Sequence, residues 1–90
     1  MALAPSSVPR LWRLARLDFD SVRQQPVLLY PEGAVLLNAT GAAILELCDG
    51  RRSVEAIAKI LEERYQCEDL LADVIEYLSA LFDRELIRDA

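Results

Sequence analysis

Hydrophobic and polar residues alternate in the first third of the chain. Within residues 11–19, Leu11, Ala15, Leu17 and Phe19 share one face, with charged residues between them, and residues 27–30 form a short apolar run after Pro26. Alternation and short β-rich runs of this kind predict β-strands. Pro31-Glu32-Gly33 predicts a tight turn with Gly33 at a positive φ, and residues 34–37 are then the return strand.

Beyond residue 37 the apolar residues recur with a helical period. Asn38 is a suitable N-cap for a first helix over about residues 39–48, which Asp49-Gly50 is predicted to end. Ser53 is predicted to cap a second helix. Its apolar face is the clearest in the chain: Val54, Ile57, Ala58, Leu61 and Tyr65.

A third helix is predicted over about residues 68–84, and Leu86 and Ile87 are expected to pack against its end. This helix carries two apolar stripes, Leu70, Val74, Tyr77 and Leu81 in one and Leu71, Ile75, Leu78 and Phe82 in the other. Together they cover more than one core-facing side requires. We expect one stripe to face the core and the other a partner, with complete burial in a small domain or a homodimer as the alternative.

Three strands followed by three helices predict an α+β domain of the winged helix-turn-helix type, with a three-stranded antiparallel sheet. A chain of 90 residues is long enough for one such domain, which we place at residues 10–90. Residues 1–9 are predicted to be a flexible tail, because two prolines and two serines leave little to pack.

The composition argues against catalysis. The chain has no histidine, no glycine-rich phosphate loop and no cysteine pair at redox spacing, so we predict neither an enzyme nor a metal or cofactor site. Adjacent carboxylates such as Glu62 and Glu63 are interpreted as a solvated helix face. Cys48 and Cys67 are predicted to be free thiols.

The charge of the chain restricts the classes of partner that it is expected to bind. The net charge is −5, and residues 53–90 carry ten acidic residues against four basic ones. Such a surface repels phosphate backbones, so we expect no nucleic-acid partner. No signal peptide and no apolar run of membrane-spanning length is visible, which predicts a cytoplasmic protein without a membrane partner.

The predicted third strand, residues 34–37, is an uncharged sheet edge. Strands joined by hairpins usually lie in sequence order, which leaves this strand with one side unpaired. A bare edge of this kind is a hazard unless something covers it, and an added peptide strand is one such cover. The tail of the protein or a second subunit is the alternative cover.

Several segments together resemble the PqqD family of pyrroloquinoline quinone (PQQ) biosynthesis. The matching pieces, in order, are Arg16-Leu17-x-Phe19-Asp20, Val27-Leu28-Leu29-x-Pro31-Glu32-Gly33, Leu37-Asn38-x-Thr40-x-x-x-Ile44-Leu45, Cys48-Asp49-Gly50-x-Arg52-Ser53-Val54-x-x-Ile57 and Asp73-Val74-x-x-x-Leu78. The resemblance extends over about residues 10–87.

The resemblance implies a peptide-binding recognition element that holds the ribosomally made precursor peptide PqqA for the radical SAM enzyme PqqE. It also implies a groove between the third strand and the third helix. The residues placed there are Val35, Leu36, Leu37, Asp73, Val74, Tyr77 and Leu81. Service to another peptide-modification pathway, a winged-helix DNA-binding regulator and a homodimer are the alternatives.

Overall fold

The computed structural model describes residues 3–90, which form two small sheets and three helices. The elements are β1 (Pro9–Leu11), β2 (Arg16–Asp20), β3 (Gln25–Tyr30), β4 (Gly33–Leu36), α1 (Ala39–Glu46), α2 (Val54–Tyr65), α3 (Leu71–Asp83) and β5 (Ile87–Asp89). The antiparallel order β2-β3-β4, followed by three helices, confirms the predicted α+β fold. No helix in this part of the chain is long and apolar enough to cross a membrane.

The second sheet was not predicted, and it replaces the first half of the expected strand over residues 11–19. Leu11 in β1 pairs with Ile87 in β5. The chain then turns: the Trp12 N–H donates to the Leu86 carbonyl at 2.8 Å, and the Ala15 N–H donates back to the Trp12 carbonyl at 2.8 Å. Residues 11–19 therefore do not form a single strand, because the segment leaves a strand of one sheet and enters a strand of the other.

The turn between β3 and β4 differs from its prediction at Gly33. Tyr30 pairs with Gly33, so the turn consists of Pro31 and Glu32 alone, and Gly33 has no positive φ. Gly50 does have a positive φ, +77°, but it lies beyond the residue that caps α1, Leu47. Glycine is thus needed for its backbone conformation after α1, whereas at Gly33 an added Cβ would make only an ordinary contact with Tyr30.

Two helix caps confirm their predictions. The Asn38 Oδ1 accepts the Gly41 N–H at 2.7 Å, and the Ser53 Oγ accepts the Ala56 N–H at 3.1 Å. Both bonds satisfy amide groups that have no partner within the first helical turn. Helix α3 begins at Leu71, later than predicted, because Asp69 takes a φ of +60°.

The core joins both sheets and all three helices. From α2 it takes Val54, Ile57, Ala58 and Leu61, whereas the predicted fifth member, Tyr65, is 45% exposed. The core face of α3 is Val74, Leu78 and Leu81, which combines residues from both predicted stripes. The other large apolar residues of α3, and Leu70 just before it, are half-buried: Leu70, Leu71, Ile75, Tyr77 and Phe82.

The segment before β1 packs against the domain, which corrects the prediction of a flexible tail for residues 3–9. Leu3 is 5% exposed, and its N–H donates to the Ser79 Oγ on α3 at 3.0 Å. The carbonyls of Pro5 and Ser7 accept the N–H groups of Glu55 and Val54 at the start of α2. These carbonyls satisfy amide groups in the first turn of α2 that have no partner within the helix. Residues 1 and 2, the start of the predicted tail, lie outside the described residues.

We expect Leu3→Ala to lower the free energy of unfolding by about 1 kcal/mol. A buried Leu→Ala change costs about 2–5 kcal/mol in a rigid core, but a terminal segment can detach locally and lose less. Urea denaturation followed by circular dichroism measures the change, with Val22→Ala as the control because Val22 is 91% exposed. Equal stabilities for the two variants would mean that the segment does not pack in solution.

Candidate functional site

Strand β4 is an edge strand with a bare backbone. It pairs with β3 on one side, and within residues 3–90 no strand pairs with its other side. The opposite edge strand, β2, carries Arg16, Asp18 and Asp20, which protect it from pairing with another chain. No residue of β4 is charged. The sheet therefore has one protected edge and one edge open to an added strand.

The register of the hairpin identifies which backbone groups of β4 face outward. A two-residue turn makes its flanking residues, Tyr30 and Gly33, a hydrogen-bonded pair, and such pairs alternate along an antiparallel ladder. The Leu37 N–H continues this alternation by donating to the Pro26 carbonyl at 2.9 Å. The N–H and C=O groups of Ala34 and Leu36 therefore point away from β3.

The carbonyl of Leu37, which faces β3, is satisfied by a side chain. Pro26 has no N–H to return to Leu37, and the Gln25 Nε2 instead donates to the Leu37 carbonyl at 3.2 Å. The backbone of Leu37 is thereby satisfied within the domain. The open edge accordingly consists of two residues, Ala34 and Leu36.

Helix α3 makes contacts just beyond both ends of β4, in the opposite order along the chain. Tyr77 packs on Gly41 next to Asn38, which follows β4, whereas the Arg84 Nη2 donates to the Tyr30 Oη at 3.0 Å beside the start of β4. Residues 77 and 84 are two helical turns apart and so share one face of the helix. We name the free edge of β4 and this face of α3 the β4–α3 margin.

The seven residues predicted to bind peptide divide into a surface group and a core group. Leu36 is 47% exposed, Asp73 is exposed, and Val35 and Tyr77 are half-buried. The core group is Leu37, Val74 and Leu81, at 2%, 2% and 5% exposure. These three residues lie in the core beneath the margin. A role in peptide binding stays a prediction for all seven residues.

Sequence reasoning missed Ala34 and Arg84 of the margin, and Tyr30 beside it. The hairpin register identifies Ala34, and its signal was present in the Pro31-Glu32 turn. Arg84 was interpreted as the end of the third helix. Its contact with Tyr30 joins residues 54 positions apart, and no local pattern encodes such a contact.

Burial raises the pKa of two side chains at or beneath the margin, Cys48 and Tyr77. It raises the pKa of the Cys48 thiol to about 12, with a smaller contribution from the negative charge of Asp49. The Cys48 Sγ donates to the Ile44 carbonyl at 3.4 Å. Burial also raises the pKa of Tyr77, and Cys48 adds to this shift. Both groups therefore stay neutral at physiological pH and act as packing residues.

Alkylation should distinguish the two thiols, which are free as predicted. At pH 8 we expect iodoacetamide to modify the exposed Cys67 and to leave the buried Cys48 intact, because the thiolate is the reactive form. Peptide mapping by mass spectrometry measures both sites, and modification of both in urea is the control. Equal labelling under native conditions would contradict the buried position of Cys48.

The described residues hold no group of three or more His, Cys, Asp or Glu side chains that could bind a metal ion. The arrangement at the margin is instead one of apolar side chains, an aromatic ring and unpaired backbone amides. Unpaired amides of an edge strand bind extended polypeptide, and adjacent apolar surface selects among its side chains.

Comparison with known proteins identifies similar chains. Residues 26–87 match the family model described as coenzyme PQQ synthesis protein D (PqqD). A PqqA binding protein of Methylococcus capsulatus is 39% identical over 89 residues, covering 99% of this chain and 96% of that one. A bifunctional coenzyme PQQ synthesis protein C/D of Methylorubrum extorquens is 40% identical over 88 residues, which are 96% of this chain and 24% of that protein.

A solved structure shares the fold. It is the solution structure of the PqqD truncation of Methylobacterium extorquens PqqCD, described as a functional and stand-alone recognition element for ribosomally synthesised and post-translationally modified peptides (RiPPs). The TM-score is 0.84 at 39% sequence identity, covering 97% of this chain and 95% of the other. The likeness in both sequence and fold therefore extends over nearly the whole chain.

Proposed function

Since the chain belongs to the PqqD family, we propose that it is a non-catalytic recognition element that binds the precursor peptide PqqA and presents it to the radical SAM enzyme PqqE. The observation that carries this proposal is the unpaired edge of β4 beside α3. The similar protein of Methylococcus capsulatus is named for binding PqqA, which supplies the identity of the peptide.

In this proposal PqqA adds to the sheet as a further strand. The backbone of Ala34 and Leu36 offers two donors and two acceptors, enough to hold an extended segment against the sheet. Peptide side chains on the core side of the sheet then lie against Val35 and Tyr77, with Asp73 at the end of the same helical face. Leu37, Val74 and Leu81 support these contacts from the core.

Presentation to PqqE needs no chemistry from this chain. A peptide held on a protein that also binds the enzyme experiences a high effective concentration at the active site. The fusion of a similar chain to protein C in Methylorubrum extorquens is consistent with a domain that works beside other proteins of the same biosynthesis. We place this activity in the cytoplasm, where PqqA is translated.

The test is a titration of the ¹⁵N-labelled chain with synthetic PqqA, followed by amide chemical shifts. The proposal expects saturable shifts concentrated at Ala34, Leu36 and Tyr77, with smaller changes at the opposite edge, β2. A PqqA peptide of scrambled sequence is the control.

No shifts at high micromolar PqqA, or shifts centred on β2, would contradict the proposal. Binding of a precursor peptide from a different pathway in place of PqqA would assign the chain to that pathway. A salt-dependent gel shift with duplex DNA, without peptide binding, would support a regulator instead.

A further inference from the structure

A pocket adjoins the margin near the start of β4. It has a volume of about 440 Å³ and is lined by Trp12, Tyr30, Glu32, Arg84, Glu85, Leu86 and Arg88. We name it the arginine pocket. It forms where the small β1–β5 sheet meets the β3–β4 hairpin, and Arg84 belongs both to this pocket and to the margin.

Two arginines of this pocket are held against aromatic rings. The Arg84 Cζ lies 5.9 Å from the centre of the Tyr30 ring, and the Arg88 Cζ lies 5.9 Å from the centre of the Trp12 ring. Arg84 also donates to the Tyr30 Oη. A guanidinium has five N–H donors, so each of these arginines is positioned while most of its donors stay available.

Neither guanidinium has a carboxylate partner within the described residues. Three other arginines do: Arg16 with Asp18, Arg23 with Asp20, and Arg52 with Asp49. Glu32 and Glu85 line the same pocket, yet neither forms an ion pair with Arg84 or Arg88. Arg84 and Arg88 are thus positioned by aromatic rings without an ion-pair partner, on a chain with a net charge of −5.

A smaller pocket extends this basic surface. It has a volume of about 240 Å³ and is lined by Arg10, Trp12, Arg13 and Arg88. Arg10 and Arg13 likewise have no carboxylate partner in the described part of the chain. The arginine pocket by itself is lined by two arginines and two glutamates, and the smaller pocket adds two further unpaired arginines and no carboxylate, so that basic residues are in excess over the two pockets together. The surface favours an anion over a cation.

We propose that the arginine pocket binds the carboxylate of an aspartate or glutamate side chain of the guest peptide, next to the segment paired with β4. This inference rests on the proposed function, because it assumes a strand on Ala34 and Leu36. A peptide extended along this edge beyond Gly33 passes Tyr30, Glu32 and Arg84. In this inference, a side chain of the guest beyond the paired segment enters the pocket.

The chemistry favours a carboxylate for two reasons. The planar guanidinium matches a carboxylate through two parallel hydrogen bonds, which a neutral side chain cannot form. The rings of Trp12 and Tyr30 provide an apolar wall for the methylene groups of the same side chain. The backbone of Ala34 and Leu36 can pair with any extended segment, so without the pocket only apolar contacts would set the register of the guest peptide. A carboxylate bound in the pocket fixes that register.

The test combines protein and peptide variants in a double-mutant cycle measured by isothermal titration. We expect Arg84→Gln to weaken binding of PqqA about ten-fold, and Arg88→Gln to weaken it in the same direction. Arg64→Gln is the matched control, since Arg64 is an exposed arginine on α2, and it should leave the affinity unchanged. One PqqA variant, with a single acidic residue changed to its amide, should bind Arg84→Gln as well as it binds the unaltered protein.

The outcomes separate this inference from the proposed function. If wild-type protein binds PqqA and both arginine variants bind it within two-fold, the pocket proposal is wrong and the peptide-binding role stands. If Arg84→Gln weakens every peptide variant equally, the arginine supports the fold and recognises no carboxylate. If the arginine variants bind PqqA normally but bind PqqE less tightly, the pocket serves the enzyme and the proposal is overturned.

If wild-type protein binds no PqqA at all, the proposed function fails and the pocket proposal fails with it. Thermal unfolding of each variant accompanies the titrations, because Arg84 packs on Tyr30. Arg88→Gln keeps the test decisive if Arg84→Gln unfolds, since Arg88 contacts Trp12 at a separate place on the pocket wall.

Discussion

Ala34→Pro should weaken peptide binding by about thirty-fold, or about 2 kcal/mol, while the domain stays folded. The Ala34 N–H points away from β3, so a proline there removes no hydrogen bond from the β3–β4 ladder. It does remove a hydrogen-bond donor from the free edge. The carbonyl of the guest peptide that would accept this bond then lies against the pyrrolidine ring of the proline. Isothermal titration with PqqA measures the loss.

Two control variants make this result specific. Ala34→Val keeps the outward N–H and should bind PqqA within about two-fold of wild type. Val35→Pro removes an N–H that points into the ladder toward Leu28, so it should lower the stability of the domain instead. Wild-type affinity for Ala34→Pro would mean that the peptide does not pair with β4.

Gly41→Ala should lower the free energy of unfolding by about 2 kcal/mol, although helix propensity alone predicts a gain of about 1 kcal/mol. A Cβ at Gly41 would overlap the Tyr77 hydroxyl, and it would lie 3.0 Å from the Tyr77 Cζ and 3.2 Å from the Asn38 Oδ1. Both residues belong to packed helices or their caps, so neither can withdraw freely. The clash outweighs the gain in propensity.

A second substitution tests this cause. Tyr77→Phe in the Gly41→Ala background removes the overlapping hydroxyl but leaves Cζ in place, so it should restore about half of the lost stability. Gly33→Ala is the matched control, because the nearest atom to its added Cβ is the Tyr30 Oη at 3.4 Å, an ordinary contact. If Gly41→Ala stabilises the domain, Tyr77 does not pack on α1 in solution.

Local sequence patterns predicted most elements of the fold. The Asn38 and Ser53 caps and the apolar spacing of α2 place the first two helices within a few residues of their observed ends. Short-range chemistry was sufficient there because a cap and its helix are adjacent in the chain. The β1–β5 sheet escaped prediction, since strands of three residues show too little periodicity and their partners lie at opposite ends of the chain.

The sequence indicates the elements of the candidate site but not how their residues are oriented. An uncharged strand and an oversupply of apolar residues on the third helix favour β4 and α3 as those elements. They could not orient the helix, because a helical wheel does not say which of several apolar stripes faces the core. Val74 and Leu81 therefore prove to be core residues, whereas Tyr77 contacts Gly41 of α1 and Arg84 contacts Tyr30 of β3.

The pairing of Leu11 with Ile87 sets an order on the assembly of this domain during translation. Leu11 leaves the ribosome about 76 residues before its partner, a delay on the order of 4 to 15 seconds at usual rates of synthesis. The β3–β4 hairpin needs only neighbouring residues and can form within microseconds of emerging. The nascent chain thus exposes β4, the strand that we propose pairs with the guest peptide, well before α3 has been synthesised. A guest captured that early would be held by backbone alone, so selection among peptides begins only when synthesis has passed the last helix.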